Sequence, residues 1–395
     1  MDGMGPTDNR VLREALTAQL LGRVADSLDI TPTQFQRAKV AYETVSDVVT
    51  SNADPRLAGA KVFPQGSFAI GTVVRPLNDD DSEFDVDLAC RLAANTSLSP
   101  VLAKQLVGAP LAADGRYAAK LEEKARCWRV NYAGEFHLDI CPLVVADTTD
   151  AIPDKELARW ILTNPEGYAK WFNERADRAR TRMMLDHAVL KAEVVPFPED
   201  NVDKGWLRRI VQLLKRHRDT WCDRVEGWQA EFAPISIIIT TLAAMSFEHE
   251  FRSGRSFAGA YDLIRRVIAG IPAYIEQRNV GGQMQWWVQS PVAAENFANR
   301  WNQDARWALA FWEWHAVALA SVNELASVTG LDGARPLLDS SYGASSAARV
   351  INSYSLQVRS ARDSNALRFA PAAGGLTASS AIAGTPVSRH TFFGD

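Results

Sequence analysis

The chain is short of the features that mark several large functional classes. Its 395 residues include four cysteines, Cys90, Cys127, Cys141 and Cys222, and none stands in a CxxC or CxxH pattern. That spacing supports neither a disulfide framework nor a thiolate zinc site. Three of the four fall in apolar alternating runs, where a thiol behaves as a small hydrophobe. There is no basic excess: 43 Lys and Arg stand against 47 Asp and Glu, a formal net charge of −4. This argues against a protein whose main task is to coat nucleic acid. No uncharged apolar run approaches the roughly 18 residues that a membrane span needs. The start, MDGMGPTDNRVLREAL, lacks the basic-then-apolar layout of a signal peptide. The expectation is a cytoplasmic protein with no membrane partner.

What is present is an ordinary globular composition, 47% hydrophobic and 23% charged, in a chain too long for one core. Residues 9–52 predict two helices, with Thr31-Pro32 as a cap followed by proline at the first helical position. From 60 to 145 the pattern becomes short alternating segments at 61–64, 84–91, 126–132 and 135–141, with a helical stretch over 113–124. Beyond residue 155 the periodicity is helical, over 166–190, 203–225, 234–248, 257–277 and 292–328. Most of the 12 tryptophans lie in this half and read as a large aromatic core. The mixture predicts an α+β core followed by a helical lobe. After about residue 366 the chain turns small and polar and cannot bury enough apolar area to offset its ordering entropy.

Two strands carry the chemistry. Side chains alternate faces along a strand, so in Phe84-Asp85-Val86-Asp87-Leu88 the carboxylates face away from the apolar side chains. Phe136-His137-Leu138-Asp139-Ile140 repeats the arrangement. If the two strands are neighbours, three carboxylates converge, a repulsive cluster unless a cation occupies it. Oxygen ligands with open positions suit Mg²⁺ holding a phosphorylated substrate. Taken alone, so short a motif also fits the wet face of a half-covered sheet. Upstream, however, stands Gly66-Ser67. Glycine lets backbone approach a phosphate closely, and the serine hydroxyl and following amides can donate to it. A phosphate-holding turn that feeds a carboxylate strand is a layout for two-metal nucleotidyl transfer.

The ordered set Phe63-Pro64-Gln65-Gly66-Ser67-Phe68-Ala69-Ile70-Gly71-Thr72, Asp85-Val86-Asp87-Leu88 and Leu138-Asp139-Ile140 resembles the cGAS/DncV-like nucleotidyltransferases (CD-NTases) of bacterial CBASS anti-phage defence. These belong to the polymerase-β-like superfamily. The resemblance continues in WILTNPEGY (160–168), LRRIVQLLKRHRD (207–219) and PISII (234–238), and spans roughly residues 10 to 350. It implies an α+β polymerase-β-like core with N-terminal helices over 1–190, a helical lobe completing the nucleotide site over 191–365, and a flexible tail over 366–395. It further implies that Asp85 and Asp87 bind two Mg²⁺ ions, with Mn²⁺ an alternative, and that Asp139 completes one shell and helps activate the acceptor hydroxyl. Gly66 and Ser67 would hold the donor triphosphate, and Lys215 and Ser236 would steady its β- and γ-phosphates. The acidic insert Asn78-Asp79-Asp80-Asp81-Ser82 lengthens the usual spacing.

The implied activity is a cyclic oligonucleotide synthase that joins ATP and GTP, with a cGAMP-like product, and releases pyrophosphate. Its partners would be a downstream effector activated by the cyclic nucleotide and an enzyme acting on the C-terminal tail, which ends HTFFGD. Long duplex DNA is not expected as an activator. Two alternatives share the motifs: a nucleotidyltransferase that modifies RNA or protein, and a nucleotide-binding regulator without turnover.

Overall fold

The computed structural model describes residues 6–77, 83–93, 98–146, 149–154, 156–189, 204–370, 375–377 and 385–387. The acidic insert at 78–82 and the terminal HTFFGD lie outside them. Two helices open the chain, α1 (Pro6–Ser27) and α2 (Pro32–Thr50). The second starts where its sequence dictates: the Thr31 hydroxyl accepts from the Gln34 amide at 3.1 Å, the Gln34 side chain accepts from the Thr31 amide at 2.8 Å, and Pro32 stands at the first turn.

The next segment builds the sheet. It contains β1 (Lys61–Pro64), a single-turn helix α3 (Gly66–Ala69), β2 (Phe84–Leu92), α4 (Pro100–Ala113), β3 (Leu121–Glu123), β4 (Trp128–Tyr132), β5 (Phe136–Ala146), β6 (Thr149–Pro153) and β7 (Trp160–Thr163). The strand order is β1-β2-β5-β4-β3, with β6 paired to β5 and β7 to β6. Among these pairs β2 and β5 run parallel and the others antiparallel. Val86, Leu88, Leu138 and Ile140 are fully buried on one face against α2 and α4. The opposite face presents the intervening polar side chains. Gly108 in α4 permits the close approach of helix and sheet, since a Cβ there would stand 2.1 Å from the Trp128 ring.

The rest is largely helical: α5 (Pro165–Val189), α6 (Gly205–Arg224), α7 (Ser236–Arg252), α8 (Ala260–Gly270), a hairpin of β8 (Glu276–Val280) and β9 (Gln283–Trp287), then α9 (Arg306–Leu325), α10 (Gly330–Tyr342) and α11 (Ala344–Asp363). These helices share a second core with Leu20, Leu21 and Val24 of α1 and Phe172 of α5. Trp206, Trp221, Trp301 and Trp314 are buried in it, as an aromatic core requires. Among the described residues no helix is long and apolar enough to cross a membrane.

Several expectations need correction. Over 113–124 a single 3-10 turn forms, Ala118–Lys120, and Leu121–Glu123 pairs with β4, while the α-helix of this region is α4, capped by the Ser99 hydroxyl and ending at Ala113. Its largely apolar sequence hides the helical period. The helix expected over 257–277 stops at Gly270, because Pro272 has no amide to continue it. The chain then turns through Gly281-Gly282, both at positive φ, into the hairpin. The helix expected over 292–328 begins only at Arg306. Before it, the Asn296 side chain bonds Val288, Ala298 and Trp286 backbone groups, each at 2.9 Å, and so holds a loop. In the polar C-terminal segment, β10 (Arg368–Ala370) pairs with β11 (Gly375–Thr377) and β12 (Thr385–Pro386).

Candidate active site

Strands β2 and β5 are neighbours, and their parallel register sets Asp87 directly beside Asp139 and Asp85 beside His137. All four side chains stand on the face away from the buried core. Asp85 is the exposed member, with 62% of its side chain accessible, against 18% for Asp139. His137 is paired with Glu83, Nε2 to Oε2 at 2.6 Å, and takes no place among the carboxylates.

On the other side of β5, antiparallel β4 brings Arg129 into register with Asp139. Its Nε and Nη2 donate to the two Asp139 oxygens at 2.7 and 2.8 Å, and Nη2 reaches Asp85 Oδ1 at 3.4 Å. A fork of this kind is a strong charge-assisted contact. The hydrogen-bonded Asp139 holds the Arg129 guanidinium above its ordinary range. Sequence reasoning missed this residue, whose part depends on the β4–β5 register.

Asp87 is differently placed. Burial, then the charges of Asp85 and Asp139, push its carboxyl up from 3.8 to about 6, with Lys215 and Arg129 pulling the other way. The turn at Gly66 lies directly on it. Gly66 has φ +59°, and a Cβ there would meet Asp87 Oδ2 at 2.6 Å. The Gln65 amide donates to the Asp87 carbonyl at 2.8 Å, and the Thr72 amide donates to the Ser67 carbonyl at 2.9 Å. The Gly-Ser turn and the acidic strand therefore form one site, with glycine required by both conformation and space.

Lys215 and Ser236 approach from the helical lobe. Lys215 of α6 is buried, and its Nζ donates to the Thr72 carbonyl and hydroxyl, both at 3.1 Å. Burial, then neighbouring Arg218, lowers its ammonium to about 8, while Asp219 and Asp87 act to raise it. Ser236 begins α7, and its hydroxyl accepts from Arg218 Nη2 at 3.3 Å. Arg218 also donates to the Pro234 carbonyl at 2.6 Å and to Asp219 at 2.6 Å. Thus Arg218, a member of the α6 basic cluster with no assigned role in the sequence, ties α6, which carries Lys215, to the start of α7 at Ser236.

The donor set fits a hard divalent cation: three carboxylates on adjacent strands, one of them raised by burial and by the charges of the other two. Among the described residues, no three acidic, histidine or cysteine side chains are grouped to enclose a metal as they stand. Arg129 engages both oxygens of Asp139.

A mixed sheet with an Asp-x-Asp strand beside a third aspartate, a Gly-Ser turn against the pair and a helical lobe across from it is the architecture of a polymerase-β-like nucleotidyltransferase. Residues 16–176 match the Second Messenger Oligonucleotide or Dinucleotide Synthetase domain. This segment is a domain of the CD-NTase (cGAS/DncV-like) nucleotidyltransferase superfamily. It is 30% identical over 256 residues to a c-di-GMP synthase of Roseivirga ehrenbergii, a match covering 63% of this chain and 65% of that protein. It is 24% identical over 304 residues to the cyclic dinucleotide synthase CdnG of Bradyrhizobium diazoefficiens, covering 71% of this chain and 69% of that one. The solved structure of that CD-NTase CdnG in complex with GTP has the same fold, with a TM-score of 0.64 at 20% identity, over 86% of this chain and 99% of that one. CdnC of E. coli MS115-1, solved with ATP, has a TM-score of 0.58 at 13% identity, over 82% of this chain and 97% of that one.

Proposed function

We propose that the chain is a cyclic dinucleotide synthase that uses GTP as a substrate. The observation that carries this reading is the single site formed by the Gly66 turn, Asp87 and Asp139, where a triphosphate and an acceptor hydroxyl can meet. The Gly66-Ser67 turn and the amides that follow hold the donor phosphates, while Lys215 and Ser236 steady their outer end. Asp85 and Asp87 hold the divalent ions, Mg²⁺ or Mn²⁺, and Asp139 completes the shell on the acceptor side. Bound there, the ions supply charge for the α-phosphate as pyrophosphate leaves. Asp139, on the strand next to the pair, orients the attacking ribose hydroxyl. Two such transfers, with the linear intermediate turned round between them, close a ring.

The names of the relatives bear on the bases. A c-di-GMP synthase and a CdnG solved with GTP favour guanine at one position at least, and two guanines as the product. The ATP-with-GTP pairing expected from the family resemblance, giving a cGAMP-like ring, is decided by the same experiment. The protein is incubated with Mg²⁺ and GTP, ATP or both, and products are read by mass spectrometry after phosphatase treatment. A phosphatase-resistant cyclic dinucleotide containing guanine, absent with D85A, is expected. Label transferred to RNA or protein, or a ring without guanine, would overturn the reading. In the cell the product would act on a cyclic-nucleotide-activated effector. A partner enzyme would engage the terminal HTFFGD; deleting it should leave synthesis in vitro intact and abolish anti-phage protection.

A further inference from the structure

We propose that Arg129 is a resident cation of the unliganded site, which a divalent ion must displace before Asp139 can serve it. The inference rests on the divalent-metal reading above and adds a residue to it. The antiparallel β4–β5 pair sets Arg129 opposite Asp139, where side chains of one face are neighbours. The guanidinium uses both Asp139 oxygens, at 2.7 and 2.8 Å, and extends to Asp85 at 3.4 Å. Three like charges on adjacent strands need compensation, and an arginine is charged at every accessible pH. Arg129 and Asp139 are only 22% and 18% accessible, so water screens their contact less than it would a surface pair.

The carboxylates are thereby divided. Asp139, the side chain proposed to orient the acceptor, is held by protein, whereas Asp87 lies against the Gly66 turn where the donor phosphates would rest. An ion arriving with a triphosphate can bind Asp85 and Asp87 first. Asp139 is released only when enough positive charge has collected to replace the guanidinium. Arg129 is in this sense a positioning residue that makes the acceptor side conditional on the donor side.

The test is titration of the nucleotide-free protein with Mn²⁺, with free ion read by electron paramagnetic resonance, for wild type and R129Q. Removing the competitor should tighten Mn²⁺ binding about tenfold, equivalent to about 1.4 kcal/mol. In chelator R129Q should melt below wild type, and Mn²⁺ should return it to the wild-type value or above. Equal or weaker Mn²⁺ binding by R129Q, with wild type binding the ion, overturns this inference and leaves the functional reading standing. Should R129Q fail to fold, R129K puts the same question. Its single ammonium cannot fork the carboxylate, so binding tightens by a smaller factor, and no change overturns the inference. If neither wild type nor variant binds Mn²⁺ at millimolar concentration, the metal reading falls together with it.

Discussion

Replacing Asp87 with Asn should stabilise the metal-free protein at neutral pH while removing its turnover. Asp87 is pushed from 3.8 to about 6, first by burial and then by Asp85 and Asp139. At about 1.4 kcal/mol per pH unit, ionising it in the folded state costs about 3 kcal/mol. The native state binds this proton more tightly than the unfolded chain. Stability is therefore lost as pH rises from about 4 through about 6 and stays lost above that window. Asn keeps the shape without the charge, so the gain should be nearly absent at pH 4 and reach its full size by pH 7.5. For cooperative units of roughly 150–250 residues it corresponds to about 6–12 °C in Tm. Thermal unfolding with chelator at pH 4, 5.5 and 7.5 measures the gap, and added Mn²⁺ should raise wild type but not the variant. A variant that melts at or below wild type at pH 7.5, or a gap that does not depend on pH, would refute the electrostatic reasoning.

Other outcomes follow from the same geometry. Gly66→Ala puts a Cβ 2.6 Å from Asp87 Oδ2 at a φ of +59°; strain of about 1–2 kcal/mol and a displaced carboxylate should lower kcat/KM by about 100-fold, read by pyrophosphate release. Lys215, lowered to about 8, must be charged to hold phosphate. The kcat/KM for triphosphate should fall above about pH 8, and K215M should lose that limb together with about 10–100-fold in activity. Gly108→Val drives a side chain into the Trp128 ring and should cost about 1–3 kcal/mol by denaturant unfolding. Because Gly108 lies in α4, behind the sheet, residual activity should track the folded fraction.

The alternating strands, the Thr31 cap and the acidic face were legible in the sequence because each follows from local periodicity. Val86, Asp87 and Leu88 declare their faces without any partner. The pairing of β2 with β5 was a conditional in the sequence, and the register that sets Asp87 beside Asp139 supplies it. What stayed hidden depends on tertiary placement. Arg129 alternates with Trp128 and Val130 in its strand, so its polar direction was readable, but not the carboxylate it would face. The boundaries at Gly270 and Arg306 were missed because single side chains override the helical pattern, through the missing amide of Pro272 and the three backbone bonds of Asn296. Strands β6 and β7 are short, β6 pairing with the far end of β5 and β7 with β6, and little in their composition marks them.

The central claim is that Asp85, Asp87 and Asp139 share divalent ions beneath a nucleotide's phosphates. Crystals grown with Mn²⁺ and a non-hydrolysable GTP analogue, measured at the manganese absorption edge, test it most directly. Anomalous peaks should lie roughly 2.0–2.3 Å from oxygens of all three aspartates and of the phosphates, with the Arg129 guanidinium withdrawn from Asp139. Nucleotide bound elsewhere, or no peak between β2 and β5 with Arg129 still forked on Asp139, would contradict the account.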